Sequence, residues 1–287
     1  MQEKEILHQI IDNCDDALRD AFLRRMEIAT RLMEPENGGG DVYDPQWEQA
    51  VLTHVTTGLS PELTIKATSL WRSLMRMSRG KQYRYTIQHN PSLHLPHEAD
   101  LVDELRRDGL VLCPADMART VSAALGMEVV PCHAISAAID ALLADQGDFA
   151  ALVVNSFYDT EWLYSMIYDQ PLYINSFIPL PDERMLALFS KKLFNDDSNR
   201  IVSVAFAIRT AQYGDLSQTL ATLAEAKFNV EFLRVKTMGA KYDDQMLINI
   251  VFAELSGSLT ALDSRAAFLQ LQKELPFFRV IGYRVSY

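Results

Sequence analysis

Asp44 and Glu48 stand four residues apart in the stretch VYDPQWEQAVL (residues 42–52), and Trp47 directly precedes the second carboxylate. At that spacing on a helix the two side chains share a face. A general acid–base pair is one reading of them; favourable negative charge at a helix N-terminus is the other. Trp47 is the odd residue, a large aromatic ring among Gln46, Glu48 and Gln49. Three histidines, His89, His94 and His97, fall close together. Neutral imidazole is a common metal ligand, but this segment carries two prolines and has neither Cys nor regular helical spacing. It reads as a linker with solvated histidines, and no metal site is expected. Ser136 lies near His133, without the third group or elbow motif of an activated nucleophile. Gly38-Gly39-Gly40 is preceded by no strand and followed by no Lys-Ser/Thr, so it reads as a flexible turn and not as a phosphate loop. The stretch 156–173, SFYDTEWLYSMIYDQPLY, is rich in Tyr and Trp. It suits an aromatic-ligand pocket or, more simply, a helix packed on a sheet or at a subunit interface.

The elements that must position these residues fall into three stretches. Residues 3–34 read as one long helix, with Ile6, Ile10, Cys14, Leu18, Ala21, Phe22, Met26 and Ala29 at three- and four-residue steps. EPENGGGD (34–41) stops it. Helices follow over about 45–57 and 61–88; Pro45 and Pro61 fit first helical turns, and Ser60 caps the third helix. Three helices leave part of the long stripe uncovered, which suggests a helical dimer. HNPSLHLPHEAD (89–100) is a linker. From 100 to 190 short apolar strands alternate with helices, as in α/β units with a partly parallel sheet. The last stretch reads βαββαβ, the ferredoxin-like order. The second and third stretches are each expected to have a core of their own.

Bulk properties narrow the class. With 287 residues the chain is long enough for two or three domains. Its net charge of −11 argues against nucleic acid and anionic membrane as general partners. Cys14, Cys113 and Cys132 are odd in number and lack metal-ligand spacing, as expected of reduced, buried thiols. The sequence has no apolar run of membrane-spanning length and no secretory leader, so a cytoplasmic protein is expected.

A helical part, an α/β part and a βαββαβ part in this order resemble the bifunctional chorismate mutase–prephenate dehydratase enzymes of phenylalanine synthesis. That resemblance implies a multi-domain chain. An all-α, AroQ-type chorismate mutase-like domain would cover 1–90. A single α/β prephenate dehydratase-like lobe would cover 91–195, and an α+β ferredoxin-like ACT domain 196–287. In the helical part His8, Ile11, Asp15, Arg25, VYDPQWE and SRGKQ stand at the family's motif positions. Arg25, Glu48, Ser78 and Gln82 would be the catalytic set of an active mutase. Three of the family's cations are replaced: one Arg by His8, another by Trp47, and the loop Lys by nothing in EPENGGG. In the family the residue at the His8 position reaches into the neighbouring chain's pocket. Fixed donors at an oxyanion-type site are worth roughly 3–4 kcal/mol each, about 10²–10³-fold in rate. Arg24, Arg79 and Lys81 are the cations available to enter from new directions.

In the middle part VVPCHAISAAIDALLADQGDFAALV resembles one dehydratase lobe, and YINSFIPL carries Asn175 and Ser176 where the family has Thr and Arg, with Phe177 kept. The span is too short for the second lobe that completes the family's active site. In the last part YGDLS keeps Gly214 and Leu216 of the ACT turn, while RVKTM replaces the family's second motif. The resemblance therefore implies a homodimer without cofactor or metal. Its ligand would be chorismate, prephenate or an aromatic amino acid, held by His8, Arg25, Trp47, Ser78, Arg79 and Gln82, with Gly214 and Leu216 at the ACT turn. An accessory or regulatory role is the leading implication. A chorismate mutase with a rebuilt pocket is the second, and a scaffold for another shikimate-pathway enzyme the third.

Overall fold

A computed structural model describes residues 2–34, 41–103, 108–155, 160–194, 200–209, 214–242 and 246–285. The glycine turn at 38–40 and the Lys-free part of the loop before it lie outside the described residues. The chain forms two compact units. One comprises the segment up to Leu93 together with Gly214–Ala226 and Arg265–Glu274; the other holds His94–Tyr213, Lys227–Ser264 and Leu275 onward.

The first unit is helical. Its N-terminal part is α1 (Gln2–Arg31), α2 (Pro45–Thr56) and α3 (Pro61–His89). Asp44 caps α2: its carboxylate accepts from the backbone N–H of Gln46 and Trp47, both at 3.0 Å. That geometry gives Asp44 the role of a helix cap. Ser60 caps α3 through the N–H of Leu63. Of the α1 stripe only Met26 and Ala29 are buried. The first half of the helix, with Ile6, Leu7, Ile10, Ile11 and Leu18, is exposed, and so is Cys14. The expected buried thiols thus reduce to Cys113, with Cys132 half-buried.

On α3 the buried face is unusual in being largely polar. Met75, Tyr83 and Ile87 share it with Arg76, Ser78, Arg79 and Gln82. The partners of these groups include α7 (Asp215–Glu225) and the C-terminal part of α8 (Leu262–Glu274), whose residues belong to the same unit. Arg76 forks onto Glu225 at 2.7 and 2.8 Å and bonds Gln218 at 3.0 Å. Gln270 on α8 donates to the Arg76 carbonyl.

The second unit is built on a nine-stranded sheet. Its strands are β2 (Val111–Pro114), β3 (Val129–Cys132), β4 (Phe149–Val154), β5 (Tyr173–Pro179), β6 (Met185–Ser190), β8 (Arg200–Arg209), β9 (Asn229–Tyr242), β10 (Met246–Ser256) and β11 (Phe278–Val285). β1 (Leu101–Val102) and β7 (Leu193–Phe194) form a separate parallel pair. The sheet order is β3-β2-β4-β6-β5-β11-β8-β10-β9. β3, β2 and β4 run parallel; in sequence α4 (Ala118–Leu125) connects β2 to β3, and α5 (Ile135–Leu143) connects β3 to β4. The β4–β6 and β6–β5 pairs are antiparallel. The last four strands take the order β11-β8-β10-β9, which is the ferredoxin-like arrangement of the βαββαβ stretch.

The expectation of separate cores for the second and third stretches does not hold. One apolar cluster includes Leu152, Leu163 and Phe189 from the middle stretch and Phe252 and Ile281 from the last. The splice is the β5–β11 pair, where Ile174 faces Gly282 in parallel register. A β-carbon at Gly282 would overlap the carbonyl oxygen of Ile174, so only glycine lets the strands approach so closely. Asn175 occupies an irregularity in β5. Its amide donates to Ser190 Oγ and to the Lys192 carbonyl, both at 2.8 Å, and its Oδ1 accepts from the Phe194 N–H at 2.7 Å. This carboxamide stands in for backbone pairing that the irregularity removes.

α6 (Thr160–Ile167) carries much of the aromatic stretch 156–173; residues 156–159 lie outside the description. Tyr164 is buried and donates to Glu254 at 2.5 Å. His97 is buried in a short 3-10 turn and is not a solvated linker histidine, unlike the exposed His89 and His94. Among the described residues no helix is long and apolar enough to cross a membrane.

Tyr173 provides a pH test of this unit. Burial, then its 2.9 Å hydrogen bond to Asp100, push the phenol up to about 12. The folded protein therefore keeps a proton that the unfolded chain releases near its ordinary value of about 10. The contribution to stability is complete below about pH 10 and is lost as pH rises through about 12. Thermal melts across that window should show Tyr173→Phe flattening the alkaline fall in stability; an unchanged slope would place the titration elsewhere.

Candidate functional site

The helical unit encloses a cavity of about 570 Å³, within the usual range for small-molecule sites, roughly 300–1,000 Å³. Helical periodicity supplies two of its walls. On α1, Ala21, Arg24, Arg25, Ile28 and Ala29 recur at three- to four-residue steps, with Leu32 in the turn that follows, and on α3 Met75, Ser78, Arg79 and Gln82 do the same. The third wall comes from the start of α2 and the segment before it, with Asp41, Val42, Asp44, Trp47 and Glu48. Met33 completes the lining.

Arg25 and Ser78 form the polar centre. Arg25 Nε donates to Ser78 Oγ at 3.1 Å, and the Ser78 hydroxyl donates to the Leu74 carbonyl at 2.8 Å. The serine proton is thus committed to the backbone and its lone pair faces the guanidinium, which fixes one edge of Arg25; among the described residues its terminal nitrogens have no hydrogen-bond partner. Burial holds the Arg25 guanidinium below its ordinary value; Glu48 opposes that effect and Arg79 adds to it. Among the described residues neither Arg24 nor Arg25 forms an ion pair with a carboxylate.

Arg79 is engaged through all three of its nitrogens. Its Nε and one terminal nitrogen fork onto Glu274 at 2.6 and 2.9 Å, and the other terminal nitrogen bonds Glu48. The ring of Tyr43 lies 5.1 Å from the guanidinium carbon. Burial opposes the Arg79 charge, but Glu274 and then Glu48 outweigh it and hold the guanidinium above its ordinary value. Burial pushes the Glu274 carboxyl up against the pull of Arg79.

Trp47 lines the cavity yet is 53% exposed. It is therefore a rim residue and not a core anchor on the long helix. His8 lies on the exposed half of α1, outside the lining of its own chain's cavity. Lys81 is exposed and also outside the lining, so of the three replacement cations only Arg24 and Arg79 enter. Gly214, with φ +93°, and Leu216 sit at the start of α7, away from this cavity. His133 and Ser136 are both exposed. Glu274 is the residue that sequence reasoning missed. It lies 195 positions from its partner Arg79, and the only local hint is a second polar residue one turn earlier, the buried Gln270.

No family model and no curated protein matches the chain by sequence. Several solved structures align with part of it. Prephenate dehydratase from Arthrobacter aurescens, in complex with L-Phe, aligns at TM-score 0.50 and 12% identity, over 62% of this chain and 90% of that one. A prephenate dehydratase from Streptococcus mutans aligns at TM-score 0.45 and 13% identity, over 61% and 96%. GqqA, described as a novel type of quorum quenching acylase, aligns at 0.47 and 16%, over 64% and 97%. The first of these likenesses gives the chain a prephenate dehydratase-like α/β fold.

Because Arg79 balances two nearly buried carboxylates, replacing it with Met strands both of them. Removing one partner of a buried ion pair typically costs about 3–5 kcal/mol. Arg79→Met should therefore lower the melting temperature sharply, whereas Lys66→Ala, at an exposed pair with Glu62, should leave it nearly unchanged.

Proposed function

We propose that this chain is a divergent relative of the chorismate mutase–prephenate dehydratase enzymes that binds a cyclic, carboxylate-bearing ligand of the shikimate or aromatic class in its helical cavity. The role is accessory or regulatory, with little or no dehydratase activity. The observation that carries the reading is the pairing of Arg25 with Ser78 inside a cavity also lined by Gln82, Glu48 and Trp47. An arginine with open donors suits a carboxylate. The apolar side chains of Ile28, Leu32, Met33, Val42 and Met75 suit a ring, and Gln82 and Glu48 suit its hydroxyls. In this reading segments 1–90, 91–195 and 196–287 mark ancestry: mutase-like, single-lobe dehydratase-like and ACT-like. The ferredoxin-like strand order and the open turn at Gly214 favour the last of these. Against dehydration stands Asn175, whose amide is engaged within the β5 irregularity at the position of the family's motif threonine.

A homodimer in the cytoplasm belongs to the same reading. The exposed apolar residues of α1 favour it: at about 25 cal/mol per Å², covering that stripe is ample to drive association. His8 would then approach the neighbouring chain's cavity. The second reading, a chorismate mutase with a rebuilt pocket, draws on Arg24 and Arg79, which line the cavity where the family's own cations are missing.

Calorimetric titration with chorismate, prephenate, phenylalanine and tyrosine, run beside chorismate-loss and phenylpyruvate assays, tests the proposal. At least one ligand should bind, and Arg25→Ala should weaken it about ten- to a hundredfold, the worth of a hydrogen bond to a charged group. Chorismate loss should lie orders of magnitude below the usual enzyme range of about 1–10³ s⁻¹, and phenylpyruvate should not form. Trp47→Arg combined with His8→Arg should raise affinity or turnover. No binding by any of the four compounds would refute the ligand reading; turnover in the usual range would establish the mutase.

A further inference from the structure

Glu274 holds Arg79 as a ligand's carboxylate would. It takes the bidentate edge of the guanidinium, Nε and one terminal nitrogen, at 2.6 and 2.9 Å, the edge that planar recognition of a carboxylate uses. The two side chains are 11% and 12% exposed, so salt and solvent screen the pair little. Arg79 lines the cavity and Glu274 does not. The internal carboxylate thus turns the fork away from any ligand, and only Arg24 and Arg25 remain as cations without a carboxylate partner among the described lining residues.

We infer that Glu274 sets the charge specificity of the cavity: it occupies Arg79 as an internal carboxylate, so the resting site offers one sheltered cation, Arg25, and favours ligands with one carboxylate; Arg24 is exposed to solvent, and a dicarboxylate must displace Glu274 to gain a second sheltered anchor. The inference rests on the proposal that the cavity binds cyclic carboxylates. Glu274 acts through Arg79 and is a specificity-determining positioning residue, not a ligand contact. Glu48 stays on the remaining terminal nitrogen and keeps the guanidinium beside the cavity when Glu274 lets go. α3 supplies a control in the pair Arg76–Glu225, which is also bidentate, though through the two terminal nitrogens and with Glu225 half-exposed, and which involves no lining residue.

The test is a binding comparison on the full chain with two probes, benzoate as the monocarboxylate and prephenate as the dicarboxylate. Glu274→Gln and Glu274→Met both remove the internal anion; circular dichroism and gel filtration check each for folding, and either one suffices. The ratio of prephenate to benzoate affinity should rise about tenfold or more. Glu274→Asp, which keeps the charge, and Glu225→Gln, which loosens another contact between helices of the same unit, should each leave the ratio within about twofold of the parent. A purely structural role would weaken both probes together and leave the ratio fixed, and that result overturns the inference. Arg25-dependent binding of the parent with no change of ratio in the Glu274 variants sinks the inference alone. Absence of binding by the parent and all variants sinks the cavity proposal with it. Prephenate binding that emerges only in the charge-removed variants supports both.

Discussion

The helical unit depends on one buried guanidinium. Arg79 joins α3 to Glu48 of α2 and to Glu274 of α8, so two consecutive helices and a third 195 positions away meet at one charge. Neither carboxylate would tolerate that degree of burial alone, and the arginine would not without both. The geometry of the cavity follows. Glu48 is drawn toward α3, which sets the start of α2, and with it Trp47, at the rim. Ser78, the residue before Arg79, is turned to meet Arg25 of α1. Polar groups on α3 thus do the positioning that apolar side chains do in most helical packings.

A different constraint governs the sheet. There the close approach of β5 and β11 at Gly282 makes the α/β strands and the ferredoxin-like strands one surface with one core. Neighbouring irregularities are closed by side chains, Asn175 across the β5–β7 segment and Arg279 onto the carbonyls of Ile167 and Leu172. Where regular pairing fails, an amide or a guanidinium takes over the hydrogen bonds that buried backbone requires.

Much of this was legible in the sequence because it is local. The helix starts at Pro45 and Pro61, the βαββαβ order, and the parallel β3-β2-β4 unit all follow from caps and periodicity acting over a few residues. The common lining of Arg25, Ser78 and Gln82 is also partly local, since Ser78 and Gln82 share a face at i, i+4. What was not legible is non-local. No pattern around Glu274 announces a partner in the first third of the chain, and nothing in Ile174 or Gly282 marks them as the splice between two stretches that each look able to fold separately. The exposed place of Trp47 was hidden for a related reason: a ring beside a capped helix start has the same local signature at a rim as in a core.

The β5–β11 splice also orders events in time. Roughly a hundred residues separate Ile174 from Gly282. On a chain emerging from the ribosome, β5 pairs with β6 almost at once, while its other edge stays open until the whole βαββαβ stretch has been made. An open, apolar strand edge is a template for foreign strands. Its exposure lasts as long as translation of that stretch, several seconds at roughly 5–20 residues per second. A slow passage through residues 180–280, or a stop within them, would leave a half-sheet seeking another chain's strand, making the yield of this protein sensitive to the pace of its own synthesis.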